Sequence, residues 1–426
     1  VKKNLSRYCI VLFLLCCSTF VWGQNASLDE MNTLLAKRDF FALKDQLSFS
    51  NKNITTQDSL YFQASVQNAF GQNEQSIAAI RQLGEHYATQ VEDDAWINLL
   101  NILADNYAKM YDYKSTAASY AILLRRYGNK LNETDVESYD NDYTLYKALE
   151  KVPAQTIIFQ NSMSVQMRKD QQELWNVPIL FNKKDSAHFV FDSGAGISTI
   201  TNSAARKLGL QIIPANIKVN SANDRQIVAQ LGIADEMQLG GAVLHHVVFL
   251  VMDDRMLDFP TINYTIDGII GFPVINALHN ITISKNGVLK INNTIKTQTI
   301  HSNFYYQGNA IRMHGIVGKD TLFFHLDTGA KQSELNKEYY DANKSYVRSI
   351  SEKKKYHLGG AGGVTSYKAF QLPNVSVQIG SGKKILPYIP VYPTKVSPYG
   401  NAIGQDYIQL FDQMQIDFEN CYINFR

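Results

Sequence analysis

The chain has 426 residues and a formal net charge of +2, with 41 Lys and Arg interspersed among 39 Asp and Glu. That balance excludes the basic stripe expected of a nucleic-acid binder. Only four cysteines are present, too few for a disulfide-built scaffold of this length.

In chain order, residues 1–23 read as a secretory signal. Lys2, Lys3 and Arg7 precede an apolar run from Ile10 to Cys17, and Val21-Trp22-Gly23 leads to Gln24. The run is too short to span a bilayer comfortably. Neither Cys16 nor Cys17 follows the small residue that bacterial lipoprotein signals favour, so lipid anchoring is disfavoured. The expected location is secreted or periplasmic, in a bacterial cell envelope. Removal of the signal leaves Cys421 alone, which permits no intramolecular disulfide and reads as a buried small hydrophobe in the last strand.

Residues 24–150 are poor in Gly and Pro and carry apolar positions at helical spacing, as in Met31, Leu34 and Leu35. The stretch from Asn68-Ala69-Phe70-Gly71 to Tyr87 returns as Ala108-Lys109-Met110-Tyr111 to Tyr127, about 40 residues on. Helix, short turn and helix with Ala at the crossings predict an all-α domain of helical hairpins. It is weakly similar to tetratricopeptide repeats, without their signature Trp and Pro. Such modules commonly bind partner proteins.

Beyond Leu149-Glu150-Lys151-Val152-Pro153 the pattern changes to period two. Short β segments are expected at Thr156–Phe159, Met163–Met167 and Ile311–Val317, with a polar linker over Asn292–Asn303. Two words stand out: Phe189-Val190-Phe191-Asp192-Ser193-Gly194-Ala195 and Phe323-Phe324-His325-Leu326-Asp327-Thr328-Gly329-Ala330. Each is an apolar strand that ends on Asp, then a hydroxyl residue, then Gly-Ala. A strand buried to its last residue and broken by a Gly turn presents that Asp at the rim of a core. After the first word, Ile197, Ile200, Ala204, Ala205, Leu208 and Leu210 are spaced as a short helix. Roughly 80 residues after each word lies an apolar-apolar-Gly word, Ile269-Ile270-Gly271 and Ala402-Ile403-Gly404, followed by alternating strands. A β unit of about 130 residues is expected twice, as 151–298 and 299–426.

On these words the chain resembles the aspartic peptidases, and among them the retropepsin-like type with Asp-Thr/Ser-Gly-Ala. The resemblance implies two β-barrel lobes in tandem forming one cleft, as in bilobal pepsin-like enzymes. It implies that Gly194 and Gly329 bring backbone amides to the carboxylates, that Ser193 and Thr328 bond across to the opposite loop, and that the segments ending at Gly271 and Gly404 brace the site. Disulfide-free lobes favour a bacterial, retropepsin-like lineage.

The chemistry of such a pair follows from electrostatics. Two carboxylates about 3 Å apart do not both ionise at modest pH, so the pair holds one proton. The ionised member takes a proton from water while the protonated member polarises the scissile carbonyl. Asp192 and Asp327 are the expected catalytic residues of an endopeptidase that needs no metal or cofactor, with a polypeptide substrate. The competing reading is a catalytically idle bilobal peptide-binding or scaffold protein acting through its helical N-terminal module. Lys331, next to Gly329-Ala330, bears on that choice, because a cation turned inward would hold Asp327 ionised.

Flaps are sought in hairpins. The candidates are Val219–Gln230, with Asn223 and Asp224 at its tip, and Leu358–Val364, with Gly360 and Gly362 supplying backbone freedom. Lys353-Lys354-Lys355 reads as a solvated loop. The adjacent His245 and His246 should point to opposite strand faces and share no metal. Gly359–Gly363 lacks the Lys-Ser/Thr of a phosphate-binding loop.

Overall fold

The computed structural model describes residues 28–50, 54–160, 164–220, 226–292, 301–396 and 400–426. The expected signal segment, the loop tip with Asn223 and Asp224, and most of the expected linker lie outside the described residues. The chain divides into two compact units, residues 1–110 with 118–136 and residues 111–117 with 137–426.

The first unit is helical. Helices Thr56–Ala69 and Asn73–His86 form a hairpin, against which Asp93–Lys109 packs. Thr55 starts the hairpin by accepting the amide of Asp58 at 3.1 Å. Its core gathers Leu60, Ala64, Ala79, Ile80, Leu83, Leu99 and Ile102. One polar chain threads it. Asn68 donates to Asn106 at 2.9 Å, Asn106 to the Ser76 hydroxyl at 2.8 Å, and Ser76 to the Ala64 carbonyl at 2.7 Å, so these buried polar groups are satisfied. Gly71 has φ 71°, and Tyr111 has φ 59°.

The second unit is mainly β, and alternation explains its central strands. In Trp175–Phe181 every second residue, from Trp175 to Phe181, is buried. Asp185–Phe191 starts at the surface and ends with Phe189, Val190 and Phe191 all buried. A nine-stranded sheet spans Thr156 to Ile270, and within it Gly268–Ile270 lies between Asp185–Phe191, parallel, and Ser198–Thr201, antiparallel. A seven-stranded sheet spans Phe304 to Ile403, with Asn401–Ile403 parallel to Asp320–Leu326. The two halves share a third sheet of five strands. Asn280–Ser284 runs antiparallel to Gln413–Asp417, with Ile281 opposite Ile416 and Ile283 opposite Met414.

Several local expectations change. Ile197 and Ile200 do not sit on a helix; the chain first forms the strand Ser198–Thr201, then the helix Asn202–Lys207. Thr201 caps that helix through the amide of Ala204. Lys353-Lys354-Lys355 is not a loop but the exposed start of the strand Glu352–Gly360. Cys421 is buried, yet it occupies the turn before the last strand, Tyr422–Phe425, at φ 50°. His245 and His246 have ring centroids 6.2 Å apart, and among the described residues no three metal-ligating side chains converge.

Tyr113, Leu145 and Leu149 belong to the same apolar cluster as Ile217, Ala229, Leu231, Ile233, Leu250 and Met252. The strand Gln211–Asn220 is further tied to the helical segment by Asn141, whose amide donates to the Lys218 carbonyl at 2.9 Å and whose oxygen accepts the Lys218 amide at 2.7 Å. Among the described residues no helix is long and apolar enough to cross a membrane.

Candidate active site

Asp192 and Asp327 each stand one residue beyond a buried strand, and the two strand ends are built alike. The Asp192 amide donates to the Ile270 carbonyl at 3.0 Å, and the Asp327 amide to the Ile403 carbonyl at 3.0 Å. Within each turn the amide two residues on returns to the carboxylate: Gly194 to Asp192 at 2.8 Å, Gly329 to Asp327 at 3.0 Å. The two carboxyl groups lie within hydrogen-bonding reach of each other.

The loops are locked across the pair. Ser193 donates its amide to the Thr328 hydroxyl at 2.9 Å, and Thr328 donates its amide to the Ser193 hydroxyl at 3.1 Å. Each hydroxyl then donates to a carbonyl of the other half, Ser193 to Leu326 at 2.9 Å and Thr328 to Phe191 at 2.8 Å. Both residues are buried, so every donor and acceptor in this square has its partner inside the protein.

The glycines answer to steric need. A Cβ on Gly194 would lie 2.6 Å from the Asp327 carboxyl carbon, and one on Gly329 would overlap the Asp192 carboxylate. Each glycine therefore makes room for the opposite Asp as well as bonding its own. Gly271 and Gly404 brace the turns from behind. Gly271 donates to the Ser198 hydroxyl and Gly404 to the Ser333 hydroxyl, both at 3.0 Å. A Cβ at Gly271 would meet the Ala195 carbonyl oxygen at 2.7 Å, and one at Gly404 the Ala330 carbonyl oxygen at 2.8 Å.

Burial, and after it the negative charge of Asp327, raises the pKa of Asp192 well above the usual carboxylate range; amides of Gly194 and Ala195 pull the other way. A carboxyl that keeps its proton beside a second carboxylate is the electrostatic condition for acid and base work at one site. Lys331 is exposed.

Three features were not singled out from the sequence. His325, two residues before Asp327 on the same strand face, is buried. Its Nδ1 lies 2.9 Å from the Asn401 carbonyl, so that nitrogen carries the proton, and its Nε2 faces Asp327 Oδ2 at 3.7 Å. The counterpart before Asp192 is Val190. The signal was the one polar residue in the run Phe323-Phe324-His325-Leu326. Asp406 is the second, accepting from both the amide and hydroxyl of Ser333 at 2.8 and 2.6 Å. Glu334 is the third, a carboxyl near Asp327.

Gly360 and Gly362 lie at the end of the hairpin formed by Glu352–Gly360 and Gly363–Ile379. Its tip reaches the first half: the Gly362 amide donates to the Met256 carbonyl at 2.7 Å, and Ala361 joins the cluster around Leu250 and Met252. Gly362 at φ 90° and Gly363 at φ 113° need glycine. Tyr356 and Tyr367 pack on Tyr392, whereas His357 bonds Ser366 at the surface.

A family model described as aspartyl protease matches residues 177–274. That stretch contains Asp192, Gly194 and Gly271. No curated protein matches the chain. The first half is thus similar to aspartyl proteases in sequence, and Asp327 joins its site through the fold.

Proposed function

We propose that this chain is a secreted or periplasmic aspartic endopeptidase whose catalytic pair is Asp192 and Asp327. The observation that carries the reading is the mutual bracing of the two Asp turns through Ser193 and Thr328, with two carboxyls in hydrogen-bonding reach at its centre. In this reading one proton is shared by the pair. The ionised carboxylate takes a proton from a water between them, and that water's oxygen attacks the scissile carbonyl. The protonated carboxyl donates its hydrogen to the carbonyl oxygen. The intermediate then collapses as the carboxyl that took the water's proton passes it to the amide nitrogen and the other carboxylate takes a hydroxyl proton back, so the C–N bond breaks and the pair again holds one proton. Binding energy goes into holding the extended peptide against the pair, and the hairpin carrying Gly360 and Gly362 serves as the flap.

The same reading takes residues 1–23 as a signal segment, 24–150 as a helical, tetratricopeptide-like module for a protein partner, and 151–298 and 299–426 as tandem retropepsin-like lobes. The repeated hydrogen bonds at Asp192 and Asp327 support the tandem arrangement. The aspartyl protease match over 177–274 supports the first lobe.

The test is cleavage of a diverse peptide library from about pH 3 to 8, the range over which a carboxylate pair holds its single proton. The full chain should cleave and its Asp192→Asn variant should not. Absence of cleavage at every pH sinks the enzyme reading in favour of a peptide-binding protein.

A further inference from the structure

The segment after Asp327 carries an acid that the shared-proton chemistry does not use. Ser333 and Leu335 are fully buried, while Gln332 and Glu334 alternate with them and face the other way. Backbone bridges fix this stretch. Glu334 pairs with Ala402, and Leu335 accepts the Tyr392 amide at 2.9 Å. Gln332 donates to the Tyr388 hydroxyl at 2.7 Å. Tyr392, 1 % exposed, is ringed by Tyr356 and Tyr367, with centroids 6.3 and 6.2 Å away. Glu334 is near enough to Tyr392 and to Asp327 for its charge to act on both.

Among the described residues the half-buried Glu334 carboxyl takes no hydrogen bond from a protein donor and meets no cation, and the Tyr356 hydroxyl is buried without a partner. Burial first, then Asp327, push the Glu334 carboxyl up to about 8, as expected of an acid without a counter-charge. The carboxyl is only half-buried, so a charged group from outside can reach it. The first half has no equivalent acid: seven residues after Asp192 stands Thr199, seven after Asp327 stands Glu334. The charge therefore marks one side of the Asp pair only.

We propose that Glu334, with the ring of Tyr356, forms a subsite for a Lys or Arg side chain of a peptide bound at the Asp pair. The inference rests on the peptidase reading for its substrate. A cation there gives the carboxyl its missing counter-charge, and the half-buried ring of Tyr356 favours it through its negative face. Neutral or acidic side chains supply none of these.

The experiment uses peptide pairs that differ only by Lys or norleucine, with the variable position walked along the peptide. Cleavage is measured with the full chain and with Glu334→Gln and Glu334→Asp, and binding of the same pairs with Asp192→Asn. At one position the wild type should favour Lys, and Glu334→Gln should cut the Lys-to-norleucine ratio of kcat/KM by about tenfold or more, the size of a charge-assisted contact. Glu334→Asp should restore part of that ratio, which a fold defect would not do. An unchanged ratio in Glu334→Gln, or a wild-type preference for norleucine throughout, overturns the subsite while the peptidase reading stands. Lys-selective binding that depends on Glu334, without cleavage by any form, keeps the subsite and overturns the peptidase reading. Neither cleavage nor selective binding overturns both.

Discussion

Ser193 and Thr328 hold each other by two amide-to-hydroxyl hydrogen bonds of 2.9 and 3.1 Å, and each also holds the strand behind the other. Removing one hydroxyl strands a buried amide and a buried carbonyl on the opposite half. Ser193→Ala or Thr328→Ala should each cost roughly 2–4 kcal/mol in urea unfolding. The double variant should cost less than the sum, because the residues are in contact and the second change acts on loops the first has already loosened. Additive losses would mean the square is not a unit.

Gly329→Ala places a methyl where the Asp192 carboxylate sits. The carboxylate must move, and displacements of that size cost about 100-fold in turnover. Gly128→Ala, with open space around the added Cβ, is the control and should leave kcat unchanged. Equal activity of the Gly329 variant and the control would show that the pair tolerates displacement.

The raised pKa of Asp192 has a sign for stability. Its contribution is full below the ordinary carboxylate range and is lost as pH rises toward the elevated folded value, because the buried carboxyl must then ionise beside Asp327. Asp192→Asn removes that loss. The variant should melt above the wild type by about 2 °C or more at pH 8, and the gap should close near pH 4. A gap that widens toward low pH contradicts the assignment.

His325 adds a buried polar ring on one side of the pair. Arg312, its cross-strand neighbour, and Asp327 are the charged groups that face it, while the Asn401–Ile403 strand presents a carbonyl. His325→Val, which copies Val190, strands the Asn401 carbonyl and should cost roughly 1–3 kcal/mol in urea unfolding. Unchanged stability would reduce His325 to a packing residue.

What the sequence made legible follows from where the information is local. The two Asp words and the later Gly words are short, and their context repeats, so the parts of the site are readable without a fold. Burial of Phe189, Phe191 and Phe324 likewise follows from simple apolar runs. Strand Glu352–Gly360 escaped because it is exposed along most of its length, which removes the alternation that betrays strands. The roles of His325 and Glu334 depend on neighbours 76 and 58 residues away, the Asn401 carbonyl and Tyr392, which no local pattern encodes. The contact of Leu145 and Leu149 with the strands around Leu231 is hidden for the same reason.

The aspartyl protease match ends before Asp327, so the partnership of Asp192 with Asp327 rests on the fold. The direct measurement is kcat/KM of Asp192→Asn, Asp327→Asn and the double variant on one good peptide. If the two carboxyls work as a unit, each single variant loses about 1,000-fold or more and the double is no worse than either. Near wild-type turnover in Asp327→Asn, with Asp192→Asn inactive, would contradict the paired mechanism.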